Sequence, residues 1–204
     1  MTDCLLIGHN EYDFETYAGM LRSMGETGGA YRDLNLSFVP IDGRPHTCMD
    51  VLNRYGGSSS DRKRPFSNVD YLWPVVTYLH SFLRRRGFAT DYVNLFQDEK
   101  QALADRLRSG KIRSVAITTT LYVWPGPIME IVDFVRQHAP DTLVIVGGPF
   151  VQNQTRLLSE EELSRLQNAL GADILIVVNV GSDPKPAGEI GSFIDVLRQT
   201  QILL

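Results

Sequence analysis

Two cysteines, Cys4 and Cys48, are too few to hold an iron–sulfur cluster or a four-thiolate zinc site within this chain of 204 residues. Basic charge is also in short supply. The 20 Lys and Arg against 24 Asp and Glu leave a net charge of −4, the wrong balance for a surface built on phosphate contacts. No apolar run approaches the roughly 20 residues of a membrane-spanning helix, and the apolar stretch 4–7 follows Met1 too soon for a signal peptide. The chain therefore reads as cytoplasmic, with neither nucleic acid nor membrane as a partner. Its 4 histidines are sparse, and His46, His80 and His138 have no metal-ligand spacing to one another or to carboxylates. The length suits a single domain over 1–204 and is marginal for two.

What the sequence does hold is a set of buried-type strands that run straight into small or polar turns. Residues 112–117 lead into Thr118-Thr119-Thr120, 143–146 into Gly147-Gly148-Pro149, and 174–178 into Asn179. Strands apolar on both faces belong to parallel sheets covered by helices, and in open sheets of that kind the ligand lies outside the carboxyl ends of the strands. Small residues at those ends let a flat, bulky ligand come close to the backbone.

The rest of the pattern supports such a sheet. A first strand is expected over 3–7, ending at Gly8-His9-Asn10, and 9–71 read as an insert before the first long helix. Inside it, Tyr17, Met20, Leu21 and Met24 recur at helical spacing, Phe38, Val39 and Ile41 lead to a hairpin turn at Asp42-Gly43, and 48–52 form one helical turn. The stretch 56–65 has nothing apolar to bury and reads as a surface loop. Leu72, Val75, Val76, Leu79, Phe82 and Leu83 then mark a helix that stops at Gly87, with Arg84-Arg85-Arg86 complementing its carboxyl end.

A strand over 90–95 and a helix over 98–109 follow, with Asp98 and Gln101 as a capping pair. Pro125 suits the start of the next helix, which carries Ile128, Ile131, Val132 and Val135 inward. Ser159 with Glu162 forms a capping box for another, with Leu163, Leu166 and Leu170 inside and Gly171 at its end. Ile190, Phe193, Ile194 and Leu197 mark a last helix. The sum is an α/β fold: a flavodoxin-like, Rossmann-like five-stranded parallel sheet flanked by helices, with strand order 2-1-3-4-5 and a long insert after strand one.

The usual tenants of this architecture can be tested at the strand ends. A dinucleotide site needs G-x-G-x-x-G after strand one, and Gly8-His9-Asn10-Glu11-Tyr12-Asp13 does not supply it. A phosphoacceptor receiver needs an aspartate after strand three and a lysine after strand five, where this chain has Thr118 and Asn179. A flavin or nucleotide site remains open on Thr118–Thr120, as does an interaction or regulatory domain with no cofactor. His80 reads as a flank of the core, His138 as a helix-end cap, and Glu160-Glu161-Glu162 as a first helical turn.

Thr119-Thr120-Leu121 after strand three, Gly147-Gly148-Pro149 after strand four and Gly171-Ala172-Asp173 leading into strand five resemble the cobalamin-binding domains of radical S-adenosylmethionine enzymes. The resemblance covers 85–197. Gly8-His9-Asn10 and the insert segment 28–35 are similar to one subgroup, the methyltransferases of antibiotic and phosphonate-peptide biosynthesis. It implies cobalamin lying on the strand ends, with the corrin across the rim and the nucleotide tail in a slot beside the sheet. Gly8, His9, Asn10, Thr118, Thr119, Thr120, Leu121, Tyr122, Trp124, Gly147, Gly148, Pro149 and Asn179 are then the cofactor-binding candidates. Gly147 and Gly148 would admit the tail and Thr119 would hydrogen-bond it.

The D-x-H-x-x-G of the wider family is absent, since Ile7 and Tyr12 stand where its aspartate and glycine belong. His9 is the one candidate cobalt ligand, and Tyr122 or Trp124 the alternative neighbours of the lower corrin face. No C-x-x-x-C-x-x-C occurs, so the expected chain binds cofactor but has no catalytic residue. The 4Fe-4S cluster, S-adenosylmethionine and the radical barrel that uses them are expected elsewhere in a full-length enzyme.

Overall fold

The computed structural model describes residues 1–10, 14–25, 27, 39–46, 48–56, 72–120, 122, 124–176 and 198. In chain order the elements are β1 (Thr2–His9), α1 (Phe14–Ser23), β2 (Val39–Ile41), β3 (Arg44–His46), α2 (Cys48–Gly56) and α3 (Pro74–Arg84). There follow β4 (Thr90–Leu95), α4 (Phe96–Arg108), β5 (Ile112–Thr118), α5 (Gly126–His138), β6 (Leu143–Gly147), α6 (Pro149–Leu157), α7 (Glu160–Leu170) and β7 (Ile174–Ile176). The sequence suggests one domain with an insert over 9–71; the contacts divide the chain into two compact units, 1–11 with 72–204, and 12–71.

In the larger unit five parallel strands lie in the order β4-β1-β5-β6-β7, the expected 2-1-3-4-5. Because side chains alternate along a strand, β1 sends Leu5 and Ile7 to one face and Cys4 and Leu6 to the other. The first face packs on α4 through Phe96, Leu103 and Leu107, and on α5 through Ile128, Ile131, Val132 and Val135. The second packs on α3 through Val76 and Leu83, with Phe88 beside them. Each such side chain contributes about 1.5–3 kcal/mol by leaving water, so the sheet is held from both sides, as its apolar strands require.

Local chemistry fixes several ends. Ser159 accepts from the amide of Glu162 at 3.3 Å while the Glu162 carboxylate accepts from the Ser159 amide at 2.8 Å, the expected capping box of α7. Gly171 closes that helix in the left-handed region at φ 67°. Ser159→Ala is expected to cost about 1 kcal/mol, readable as a lower urea midpoint with an unchanged slope. In the smaller unit Asp42 and Gly43, at φ 52° and 74°, make the expected hairpin turn between β2 and β3. The Arg54 guanidinium holds Asp42 at 2.6 Å.

Other expectations are corrected. Helix α4 begins at Phe96, so Asp98 and Gln101 do not cap it; Glu99 Oε1 instead accepts from the amides of Asn94 and Leu95. Helix α2 runs on to Gly56 rather than ending after one turn. Met24, expected inward on α1, is exposed, while Leu21 is buried. Gly56, expected to open the loop at 56–65, is thus helical, and the rest of that loop and the last helix lie outside the described residues. Among the described residues no helix is long and apolar enough to cross a membrane.

Candidate functional site

Helix α3 starts at the carboxyl edge of the sheet, and a cavity of about 470 Å³ opens there beside it. Pro74, Val75, Tyr78 and Leu79 of α3 form one wall. Ala116, Ile145 and Ile176 form the opposite, sheet-side wall, and Thr118, Thr120, Gly147, Gly148 and Pro149 the strand ends. The lining is mostly hydrocarbon. Thr118 donates its hydroxyl to the carbonyls of Ile7 and Gly8, each at 3.2 Å. The Thr120 and Tyr78 hydroxyls have no hydrogen bond among the described residues, so they are polar groups the cavity offers a ligand.

The two glycines at the end of β6 differ in purpose. A Cβ on Gly147 would press on Ile176 at 3.2 Å, so its absence keeps the backbone close to β7. Gly148 has φ 117°, a conformation L side chains rarely adopt, and its Cβ would come 2.9 Å from Thr119 Oγ1. Thr119 itself is fully buried, and both its amide and its hydroxyl donate to the Gly147 carbonyl at 3.0 Å. Thr119 thus ties the ends of β5 and β6 together, and Thr120 lines the cavity.

The end of β1 carries a second group of candidates. The His9 ring stacks with Trp73 at a centroid distance of 5.2 Å and with Tyr122 at 5.8 Å. Tyr122 is buried in the core, and its hydroxyl oxygen accepts from the Asn10 amide at 2.7 Å. The indole of Trp124 lies over Gly126, in the space a side chain there would occupy. Both aromatics thus have a packing role. Gly8 is a strand residue whose Cβ would meet the Asn94 carbonyl oxygen at 2.5 Å, so close strand pairing accounts for it.

Asn10 is buried, and its side chain is held by three neighbouring residues. Its Nδ2 donates to the Pro127 carbonyl at 3.1 Å and to Glu130 Oε2 at 2.9 Å, while its Oδ1 accepts from Gln97 Nε2 at 2.6 Å. Gln97 also donates to both Glu130 oxygens, and Lys100 Nζ reaches Glu130 Oε1 at 2.7 Å. Partial burial pushes the Glu130 carboxyl up, but the hydrogen bonds from Lys100, Asn10 and Gln97, with the Lys100 charge, more than offset it. The group is held below its usual value.

Leu121 and Asn179 lie outside the described residues. Gly171-Ala172-Asp173 sits at the amino end of β7, away from the rim, where Asp173 Oδ2 accepts from the Val144 amide and from Arg136. Sequence reasoning missed the contribution of Trp73, Pro74 and Tyr78 and the whole Gln97–Lys100–Glu130 cluster. The apolar spacing of α3 was a signal for the first group, but the polar cluster draws on two helices and has no local signature. Among the described residues no three His, Cys, Asp or Glu side chains gather as a metal site.

No protein-family model and no curated protein matches the sequence. Among solved structures the chain is similar to a response regulator protein from Burkholderia pseudomallei with a phosphorylated aspartic acid, calcium ion and citrate. Identity is 15%, the TM-score is 0.34, and the likeness covers 62% of this chain and 66% of that one, just under two thirds of its length. At that TM-score it carries no argument about function, and the fold assignment rests on the sheet order itself.

Proposed function

We propose that the larger unit binds cobalamin at the carboxyl edge of its sheet, with the nucleotide tail in the cavity beside α3 and the corrin over the ends of β1, β5 and β6. One observation carries the reading. The chain keeps an apolar cavity of about 470 Å³ beside Thr118, Thr120, Gly147 and Gly148, within the usual size of small-molecule sites, at the strand ends whose sequence resembles cobalamin-binding domains. The lining suits a flat, mostly apolar group, and Thr120 offers it a hydroxyl. His9, at the end of β1 and stacked with Trp73 and Tyr122, is the nitrogen donor this reading assigns to cobalt. On this reading the unit is the cofactor module of a radical S-adenosylmethionine methyltransferase-like enzyme, whose 4Fe-4S cluster and S-adenosylmethionine are bound by a separate barrel.

The test is a visible-absorbance titration with hydroxocobalamin followed by desalting. Colour is expected to stay with the protein at concentrations of roughly 100 μM. Val75→Trp, which fills the cavity from a half-buried position on α3, is expected to abolish retention without lowering the melting temperature. Colour lost from the unaltered chain, or kept undiminished by the variant, overturns the reading. The first outcome would leave an interaction or regulatory domain as the better account.

A further inference from the structure

Asn10 is where β1 leaves the sheet, and its amide group has a definite direction. An ionised carboxylate only accepts hydrogen bonds. Glu130 therefore compels the amide nitrogens of both Asn10 and Gln97 to point toward it. That leaves Asn10 Oδ1 to accept from Gln97 and fixes the backbone whose N–H is donated to the Tyr122 hydroxyl. Tyr122 in turn stacks with His9, the residue next to Asn10 in the chain. Lys100 supplies the countercharge that keeps the carboxylate ionised in a half-buried place.

We propose that Glu130 is a positioning residue for the strand rim: by holding Asn10 it fixes the end of β1 and, through Tyr122, the orientation of the His9 ring. Removing the carboxylate leaves Asn10 with the Pro127 carbonyl as the remaining acceptor for its amide nitrogen and lets the amide turn over. The stack of His9 on Tyr122 then loses its reference point. That His9 belongs to a ligand site rests on the cobalamin reading, whereas its orientation by Glu130 does not.

The experiment follows the imidazole ring resonances of the unliganded full chain by NMR, with His9 assigned through His9→Gln. In Glu130→Ala the His9 signal is expected to move toward its position in the urea-unfolded chain. The signals of His46, His80 and His138 are expected to stay in place. Glu130→Gln, which keeps the shape and one acceptor oxygen, is expected to shift it less, and it decides the matter if the alanine variant does not fold. A role in stability alone would lower the melting temperature and leave the His9 signal of the folded chain unmoved, and that result overturns the proposal. Hydroxocobalamin retention by the same chains separates the two readings. A shifted His9 signal in a protein that never retains cobalamin supports the role of Glu130 and removes the cofactor, and a shift accompanied by weakened retention supports both.

Discussion

Gly8→Ala is expected to destabilise the larger unit by about 3 kcal/mol or more, while the same substitution at Gly19 is expected to stabilise the smaller one by up to about 1 kcal/mol. The difference comes from what each new methyl group meets. At Gly8 the Cβ would lie 2.5 Å from the carbonyl oxygen of Asn94 and 3.2 Å from that of Val93. Those atoms are backbone of β4, which pairs with β1 from Cys4 to His9, so no side chain can swing aside to make room. Relief requires the two strands to separate, and β1 is held on its other edge by β5. At Gly19 nothing lies within 4 Å, and alanine merely restricts the unfolded chain in favour of α1. Urea titrations read by circular dichroism test both, and a Gly8→Ala chain within 1 kcal/mol of the parent would contradict the packing described for β1.

Cys4 is expected to be almost inert to thiol reagents until the chain unfolds. Its side chain is fully buried on β1, an interior strand of the sheet, against α3. Burial raises its pKa from an ordinary 9.0 to about 12, only partly offset by a hydrogen bond with Ser114. Three units mean roughly a thousandfold less thiolate at neutral pH, and the thiolate is the nucleophile. In a Cys48→Ser chain, Ellman's reagent should find no thiol at pH 8 in buffer and one in guanidinium chloride. The same shift makes stability fall with pH. Below pH 9.0 the thiol is protonated in both states; between 9.0 and about 12 only the unfolded chain gives up its proton, so folding loses on the order of 4 kcal/mol across that window. Cys4→Ala should lack that slope, and fast labelling of Cys4 in the native chain would contradict its burial.

The sheet was legible because its signals are local. The strand at 90–95 is bounded by Gly87 and by the abrupt end of β-type residues, and the observed Thr90–Leu95 coincides with it. Asp42-Gly43 and the Ser159–Glu162 pair each act within four residues, so their chemistry shows in the sequence itself. Helix α6 escaped notice because only Phe150 and Val151 of its nine residues are buried, leaving no apolar period to detect beyond the proline at its start. The start of α4 was misplaced for the opposite reason: Phe96 is fully buried by tertiary packing, and the helix begins there despite the better capping pair further on. At the rim, the small residues mark strand ends that line the cavity but not what each of them does. The structural partners of Thr119 and Asn10 do not show in the sequence, because they are a carbonyl 28 residues away and side chains 87 and 120 residues away.

The position of β1 also bears on how the chain is made. Cys4 finds its two neighbours at Thr90 and Ser114, and the whole smaller unit lies between. At a synthesis rate of about 5–20 residues per second, the apolar segment Cys4-Leu5-Leu6-Ile7 is translated roughly 4 to 17 seconds before its first partner. Throughout that interval both of its edges are open, a condition that invites pairing with other nascent chains. Closing the gap then costs loop entropy that grows only logarithmically with the intervening length, so the hazard of this topology is one of timing, and a cell short of holding chaperones would pay for it in aggregated product.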